Sequence, residues 1–262
     1  MSRGTITAAR TANRPVPRIE QGLRPYNAAM GLLHAVQGLA VVGLANDFTL
    51  PVSGTFLEGP PGSPVLDPMR LANVSVAWAV AAFLLLSAVF HLLIAGPFFN
   101  RYLTGLTLTH NYFRWVEYSL SSSLMIVLIA MLTGISDAAA LIALFGVNVS
   151  MILFGVVQEK YERPGGSLVP FWLGCIAGAV PWVAIGLYLL TPGSSAEPPG
   201  FVYGIFFSLF VFFNIFALNM WLQYRRAGRW RDYLHGEKVY VLLSLIAKSA
   251  LAWQVFGGTL AL

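Results

Sequence analysis

The stretch Val239–Gly258 reads VYVLLSLIAKSALAWQVFGG and carries a single charged side chain, Lys248, near its middle. A helix needs about 20 predominantly apolar residues to cross the hydrocarbon core of a bilayer, and this stretch has that length. Insertion scales place a lysine at the centre of such a helix at a cost of about 2.5–3.5 kcal/mol. The stretch therefore predicts a membrane-spanning helix, and the cost of Lys248 indicates that its amine has a role there.

Composition extends this prediction to the whole chain. The 262 residues are 57% hydrophobic and only 10% charged, whereas soluble domains carry about 25% charged residues. Seven apolar stretches are long enough to cross a membrane, and their lack of period-two alternation favours helices over a β-barrel. We therefore predict an all-α membrane protein, a bundle of seven transmembrane helices. The predicted spans are Tyr26–Ala45, Leu71–Ala95, Asn111–Thr133, Ala138–Val157, Leu168–Leu190, Phe201–Tyr224 and Val239–Gly258.

The distribution of basic residues predicts the orientation. Thirteen lysines and arginines fall in the N-terminal segment and the three loops on its side, whereas the other side has only Arg70. Because cytoplasmic loops carry the excess of Lys and Arg, we expect a multi-pass cell-membrane protein with a cytoplasmic N-terminus and an extracellular C-terminus. We assign residues 1–25 to a basic cytoplasmic tail and 26–262 to the transmembrane domain. Topology explains the positive charge, and nucleic-acid binding is not expected.

The longest predicted connection, residues 46–68, lies on the external side. It contains two short runs of β-forming residues, Phe48–Leu50 and Thr55–Leu57, followed by the turn sequence Gly59-Pro-Pro-Gly62. These features favour a short β-hairpin in the first external loop. An irregular loop is the alternative.

Glu117, in the third predicted span, is the only other acid or base expected to lie as deep as Lys248. A lysine in a low-dielectric site loses its proton readily and becomes a nucleophile toward aldehydes. A nearby carboxylate would then balance the charge of a protonated Schiff base. We therefore predict that Lys248 carries an aldehyde ligand and that Glu117 is the counterion. The alternative is a structural salt bridge retained for specificity.

Further polar residues recur at one-turn spacing on several predicted helices. Ser244 precedes Lys248 by four residues and shares its helix face, and Ser87 and His91 are likewise four apart in the second span. Polar groups in a membrane helix are tolerated when they face a bundle interior, so these residues could build one buried cavity. The residues considered for this cavity include His34, Ser87, His91, Ser122, Asn148, Met151 and Ser244.

Simpler roles compete with a shared cavity. A serine in a membrane helix often only donates a hydrogen bond to the carbonyl four residues earlier. A buried histidine is more often a partner in a helix–helix hydrogen bond than a metal ligand. No cluster of Cys, His and carboxylate residues has the spacing of a metal site, so no metal is expected.

Two segments resemble heliorhodopsins over many consecutive positions. They are His110–Met131, around RWVEYSLSSS, and Val239–Leu260, around LSLIAKSALAWQVF, and the likeness extends to Met30–His34 and Asn219–Tyr224. The resemblance implies a rhodopsin-like, retinal-binding photoreceptor with a membrane orientation opposite to that of ordinary microbial rhodopsins. It also implies a homodimer, with strands of the first external loop at the interface.

The resemblance also implies roles for individual residues. Lys248 would bear all-trans retinal and Glu117 would be its counterion. Met220 stands where the family pattern leads us to expect Gln, so colour tuning at that position is an open question. The implied neighbours are Ser87, Ser122 and Ser244 around the Schiff base, His34 and His91 in a polar cavity on the cytoplasmic side, and Asn148, Met151 and Met220 near the polyene or its ring.

The predicted spans lack the carboxylates of a proton pump. The usual proton donor lies about three turns beyond the counterion, and that position is Leu128. A second carboxylate would stand four residues before the lysine, where this chain has Ser244. We therefore predict a non-enzymatic light sensor with a slow photocycle and an unidentified cytoplasmic signalling partner. The alternatives are a light-driven proton or ion transporter or channel, and a receptor or transporter without a chromophore that uses a Lys–Glu salt bridge.

Overall fold

The computed structural model describes residues 19–63, 67–190 and 197–261, so most of the predicted basic tail lies outside the described residues. Within these ranges, seven helices are long and apolar enough to cross a membrane, which confirms the predicted seven-helix bundle. In chain order the elements are α1 (Ile19–Leu44), β1 (Thr49–Gly54), β2 (Met69–Ser75), α2 (Val76–Ala95), α3 (Phe99–Thr107), α4 (Tyr112–Leu132), α5 (Ala138–Tyr161), α6 (Val169–Leu190), α7 (Gly200–Tyr224), a 3₁₀ turn (Gly228–Arg231), α8 (Tyr233–Val255) and a π-helical turn (Phe256–Leu260).

Two of the long helices, α5 and α8, continue beyond their predicted spans through charged residues that are buried. α5 extends past Val157 to Tyr161, and α8 begins at Tyr233 rather than Val239. These extensions contain Glu159 and Glu237, and both side chains are buried. The prediction placed them in loops because an unpaired charge must reach water. Here each carboxylate is paired inside the protein, so the helix does not need to end.

The predicted hairpin is present, but its second strand lies further along the chain than predicted. β1 pairs antiparallel with β2, from Thr49 opposite Ser75 to Gly54 opposite Met69. Residues Thr55–Leu57 are not in a strand. As a result, the second span begins at Val76 rather than Leu71, because residues 71–75 belong to the strand. Ser75 ends the strand and caps α2, since its hydroxyl accepts a hydrogen bond from the Trp78 amide at 3.4 Å.

A short helix, α3, occupies the connection that was predicted as a plain loop between the second and third spans. Phe99, Tyr102 and Leu106 are its buried residues, and they pack with Leu23 and Ile94. Their spacing marks one apolar stripe on a surface helix. Burial, followed by the nearby Glu237 carboxylate, raises the pKa of the Tyr102 phenol well above its ordinary value. Nine residues are too few for a membrane span, so the length of apolar runs does not predict this helix.

The third transmembrane helix, α4, is central to the bundle and carries more buried polar residues than any other described helix. Its apolar positions Ile126 and Ile129 are fully buried in the main hydrophobic core, together with Leu251 and Ala252 of α8. Fully buried side chains on both helices fix their relative position, because a well-packed interior resists displacement. The core therefore determines where the polar residues one to three turns earlier on α4 meet those of α8.

Candidate functional site

The amine of Lys248 lies beside the carboxylate of Glu117 in the bundle interior. Lys248 Nζ donates hydrogen bonds to Glu117 Oε1 at 2.8 Å and to Ser244 Oγ at 2.7 Å. Ser87 Oγ donates to the same Glu117 oxygen at 2.6 Å. Both charged side chains are about 95% buried, with exposed fractions of 4% and 5%. The structure thus brings together four of the residues singled out from the sequence.

Helix geometry explains why Ser244 reaches the amine. Side chains on a helix lean toward its N-terminus, so the long Lys248 side chain extends back along the turn that begins at Ser244. Both residues are on α8, whereas Glu117 comes from α4 and Ser87 from α2. Side chains from three helices therefore form the hydrogen bonds of one buried charge pair. Such pairing is required, because a buried charge without a partner costs several kcal/mol.

Two histidines stack next to one another between α1 and α2. The rings of His34 and His91 are 5.7 Å apart between centroids and inclined by 10°. His91 Nδ1 is 2.8 Å from Asn27 Oδ1, a residue that the sequence reasoning did not identify. In the described part of the chain, neither ring nitrogen of His34 has a hydrogen-bond partner, although the side chain is fully buried.

Ser122 and Asn148 contact each other instead of the charge pair. Asn148 Nδ2 donates to Ser122 Oγ at 2.8 Å and to Ser123 Oγ at 2.9 Å, which joins α5 to α4. Ser122 also donates to the Tyr118 carbonyl at 2.7 Å. Ser122 borders the large cavity described next, whereas Asn148 lies behind it and does not line it.

A largely apolar cavity of about 300 Å³ borders Lys248 and extends between α4, α5, α6 and α7. Ligand pockets typically begin at about this size and are lined by apolar side chains with a few polar groups. Met151 and Met220, both expected near a ligand, line its wall. Other lining residues include Trp115, Tyr118, Ser122, Met125, Phe171, Trp182, Phe213, Phe216, Tyr240, Ser244 and Lys248.

Two glycines shape this cavity by letting large side chains approach the backbone. A Cβ atom on Gly155 would meet the ring of Trp115, and one on Gly178 would meet the sulfur of Met151. Any larger residue would push these side chains into the cavity. The wall therefore fits an elongated apolar group that enters between aromatic rings and ends at one amine. That combination suits retinal, a polyene that carries an aldehyde.

The prediction that Glu117 is the only acid or base buried as deeply as Lys248 is wrong. Arg114, one turn before Glu117 on α4, forms salt bridges with Glu159 of α5 and Glu237 of α8, and all three side chains are buried. The guanidinium also stacks over the Tyr240 ring, 4.1 Å from its centroid. We call Arg114, Glu159 and Glu237 the arginine triad.

The remaining carboxylate oxygens of the arginine triad are also occupied. Glu159 accepts hydrogen bonds from the Trp115 indole at 2.6 Å, the Asn111 amide at 3.1 Å and the Tyr233 hydroxyl at 3.0 Å. Asn111 also donates its side-chain amide to Glu237. A signal for this cluster was present in the sequence. Arg114 stood inside a span without an assigned partner, and the acids near the ends of the fourth and seventh spans were available to it.

A small second cavity of about 20 Å³ lies between the charge pair and the arginine triad. Its volume is sufficient for one water molecule. It is lined by polar groups from both clusters, which places Glu117 and Glu237 on one shared surface. The polar lining residues are Asn27, His91, Tyr102, Asn111, Arg114, Glu117, Tyr118 and Glu237.

These features together define a class of protein. A seven-helix membrane bundle with a buried lysine on its last helix, a carboxylate from the third and an adjoining apolar cavity is the arrangement of a retinal-binding rhodopsin. The heliorhodopsin family model matches residues 23–260, nearly the whole chain. The chain therefore belongs to the heliorhodopsin family, as its resemblance in sequence predicted. No curated protein matches it.

Family membership supports a retinal chromophore and a photoreceptor-type function in general terms, in a multi-pass membrane protein. Within the described residues, no group of three or more His, Cys, Asp or Glu side chains could hold a metal ion.

Proposed function

We propose that this heliorhodopsin is a light sensor in which Lys248 holds all-trans retinal and Glu117 balances the charge at the lysine nitrogen. The observation that carries the proposal is the 2.8 Å contact between Lys248 Nζ and Glu117 Oε1 beside the apolar cavity. When bound, retinal supplies a light-absorbing polyene that links covalently to an amine and isomerises in light.

Glu117 and its neighbours hold the positive charge of the lysine nitrogen in place. Ser87 donates to the carboxylate and Ser244 accepts from the amine, so each charged group has one neutral hydrogen-bond partner. Charge-assisted hydrogen bonds of this kind are about twice as strong as neutral ones. A change in the position of the nitrogen relative to Glu117 would alter these bonds and shift the populations of helix arrangements.

The cavity wall positions the ligand and excludes water. We assign the polyene and its ring to the space between Tyr118, Met151 and Met220, and Asn148 acts indirectly by holding Ser122 at the wall. Met220 is an apolar residue where the family pattern led us to expect Gln. We propose that His34 and His91 form a polar cavity on the cytoplasmic side of the site, with Asn27 orienting His91.

The positions of the buried carboxylates favour a sensor over a pump. A pump needs proton acceptors and donors on opposite sides of the lysine nitrogen. Leu128, at the donor position beyond Glu117, is buried and apolar. Glu159 and Glu237 both lie on the Arg114 side of Glu117 and are held there by the guanidinium. We therefore propose a slow photocycle without ion transport or enzymatic activity, whose output is read by a cytoplasmic partner.

One observation favours a second candidate, light-driven proton movement. The small cavity that joins Glu117 to Glu237 could hold a water and relay a proton between the two clusters. Illumination of liposomes that contain the protein separates the two candidates. The sensor proposal predicts no sustained change in external pH, and a sustained light-dependent flux would contradict it.

Retinal reconstitution tests the chromophore itself. Addition of all-trans retinal to the purified protein should produce a visible absorption band that hydroxylamine bleaches in light. The competing function, a receptor or transporter with only a structural salt bridge, predicts no such band.

The orientation and the oligomeric state complete the proposal. We propose a cytoplasmic N-terminus, on the charge distribution given above, and a homodimer joined through the external hairpin. Met69 and Leu71 on β2 are 59% and 49% exposed, and such apolar side chains favour burial against a second copy. A cysteine at position 71 should form a disulfide-linked dimer under mild oxidation. Failure to crosslink would remove the hairpin from the interface.

A further inference from the structure

Exposed basic side chains gather at the end of α5 and on two loops, at the end of the bundle that contains the arginine triad. The first loop follows α5 and the second joins α7 to α8. We call these side chains the basic patch, and all six are exposed. The basic patch consists of Lys160, Arg163, Arg225, Arg226, Arg229 and Arg231.

Hydrogen bonds join the two loops into one surface. The Gly165 amide donates to the Tyr224 carbonyl at 2.8 Å, and the Tyr224 hydroxyl donates to the Gln158 carbonyl at 3.1 Å. Arg231 Nε donates to the Arg226 carbonyl at 3.3 Å. The first two bonds hold the end of α7 against α5 and the first loop, and the third joins two residues of the second loop. The charges of both loops therefore lie at one end of the bundle. Membrane topology requires an excess of basic residues on one side of the bilayer, but it does not require that they cluster on one face.

The basic patch has no acidic partner among the described residues. Among the described residues, Arg114 and Lys248 are the only cations that form salt bridges, and neither belongs to the basic patch. The nearest acids serve other groups: Asp232 caps α8 through the Leu234 amide, and Glu162 accepts from the Ser167 amide. Six like charges that form no ion pair among the described residues repel one another, and an anionic partner would relieve that repulsion.

The position of the patch identifies the partner as a lipid headgroup. α7 has 25 residues and is therefore about 37 Å long, which exceeds a hydrocarbon core of about 30 Å. A helix of this length can reach the headgroup layer at its ends, and the residues just after Tyr224 follow one of those ends. Aromatic rings mark the same boundary, since Lys160 lies over the ring of Tyr161 and Arg225 over that of Trp221. Aromatic residues are typical of the membrane–water interface.

We propose that the basic patch is a binding site for anionic phospholipid headgroups, whose phosphates bridge the α5–α6 and α7–α8 loops. Arginine suits this role because its planar guanidinium can donate two parallel hydrogen bonds to a phosphate. This site is separate from the retinal cavity and does not depend on the chromophore. It gives the protein a preference for membrane regions rich in anionic lipid.

The test compares binding of a fluorescent phosphatidylglycerol with that of the matching phosphatidylcholine to the full-length protein in detergent. The double variant Arg226→Gln/Arg231→Gln should weaken phosphatidylglycerol binding by about 25-fold, since each basic side chain near an anionic surface contributes about fivefold. Phosphatidylcholine binding should not change. Arg226→Lys/Arg231→Lys keeps the charge and should recover most of the affinity.

A matched control removes the same charge from α1 and α3 at this end of the bundle. Arg24 and Arg101 are both exposed, and Arg24→Gln/Arg101→Gln should alter phosphatidylglycerol binding by less than twofold. The proposal is overturned if this control loses as much affinity as the patch variant. It is also overturned if wild-type protein binds the two lipids equally, or if soluble polyglutamate displaces phosphatidylglycerol, which would assign the patch to an acidic protein.

Discussion

Two buried charge clusters lie one helical turn apart on α4, and they differ in what surrounds them. Lys248 and Glu117 border a cavity of about 300 Å³, and the amine is one of its lining groups. In the arginine triad, Arg114 is instead enclosed by two carboxylates and the Tyr240 ring. The comparison teaches that burial of charge alone does not mark a reactive site. A charged group beside a ligand-sized cavity can react with a ligand, whereas one that borders only a water-sized cavity of about 20 Å³ and is paired with two carboxylates holds helices together.

The first prediction removes the amine. Lys248→Ala should abolish the visible absorption band completely, because no other buried amine lines the described cavity. The visible absorption spectra of the retinal-treated wild-type protein and of the variant measure this loss. As a control for folding, the variant should keep its helical circular dichroism. A normal band in Lys248→Ala would place the ligand on a different residue and would end the distinction between the two clusters.

The second prediction concerns the triad. Arg114→Gln leaves two buried carboxylates without their cation and should destabilise the protein by about 3–5 kcal/mol. Thermal or denaturant unfolding in detergent measures this loss. Arg101→Gln is a suitable control because Arg101 is exposed, and it should change stability by less than about 0.5 kcal/mol. Equal effects of the two substitutions would show that the triad is not structural.

A third prediction compares the carboxylates of the two clusters. Glu117→Gln should shift the visible band to the red, since the counterion stabilises charge at the lysine nitrogen more in the ground state than in the excited state. Glu159→Gln should shift it far less, because Arg114 holds that carboxylate away from the site. Absorption spectra of both pigments decide the matter. An unshifted Glu117→Gln spectrum would remove Glu117 from the counterion role.

The smallest effect is expected from Ser87. Ser87→Ala removes a hydroxyl that donates to Glu117 Oε1 at 2.6 Å, so the carboxylate keeps more of its charge for the lysine nitrogen. The band should move slightly to the blue, and stability should fall by about 1–3 kcal/mol. Ser119→Ala is the control, because Ser119 only donates to the Trp115 carbonyl. A red shift in Ser87→Ala, or an equal shift in the control, would contradict this role.

The sequence predicted the parts of the fold that depend on local composition. The apolar runs indicated seven spans, and one-turn spacing placed Ser244 beside Lys248. Contacts between helices were less accessible. Arg114 inside a span signalled that an acid must pair with it, but no local pattern shows that Glu159 and Glu237 turn inward toward it. The helices that carry these two acids were therefore predicted to be too short. The hairpin was predicted from the correct loop, but its second strand is set by pairing with β1 rather than by propensity.

Reduction of the retinal-treated protein with borohydride, followed by peptide mass mapping, tests the central claim most directly. The account predicts a retinyl adduct on the peptide that contains Lys248. An adduct on Lys160 or Lys238 instead, or no adduct on any peptide of a coloured sample, would contradict it.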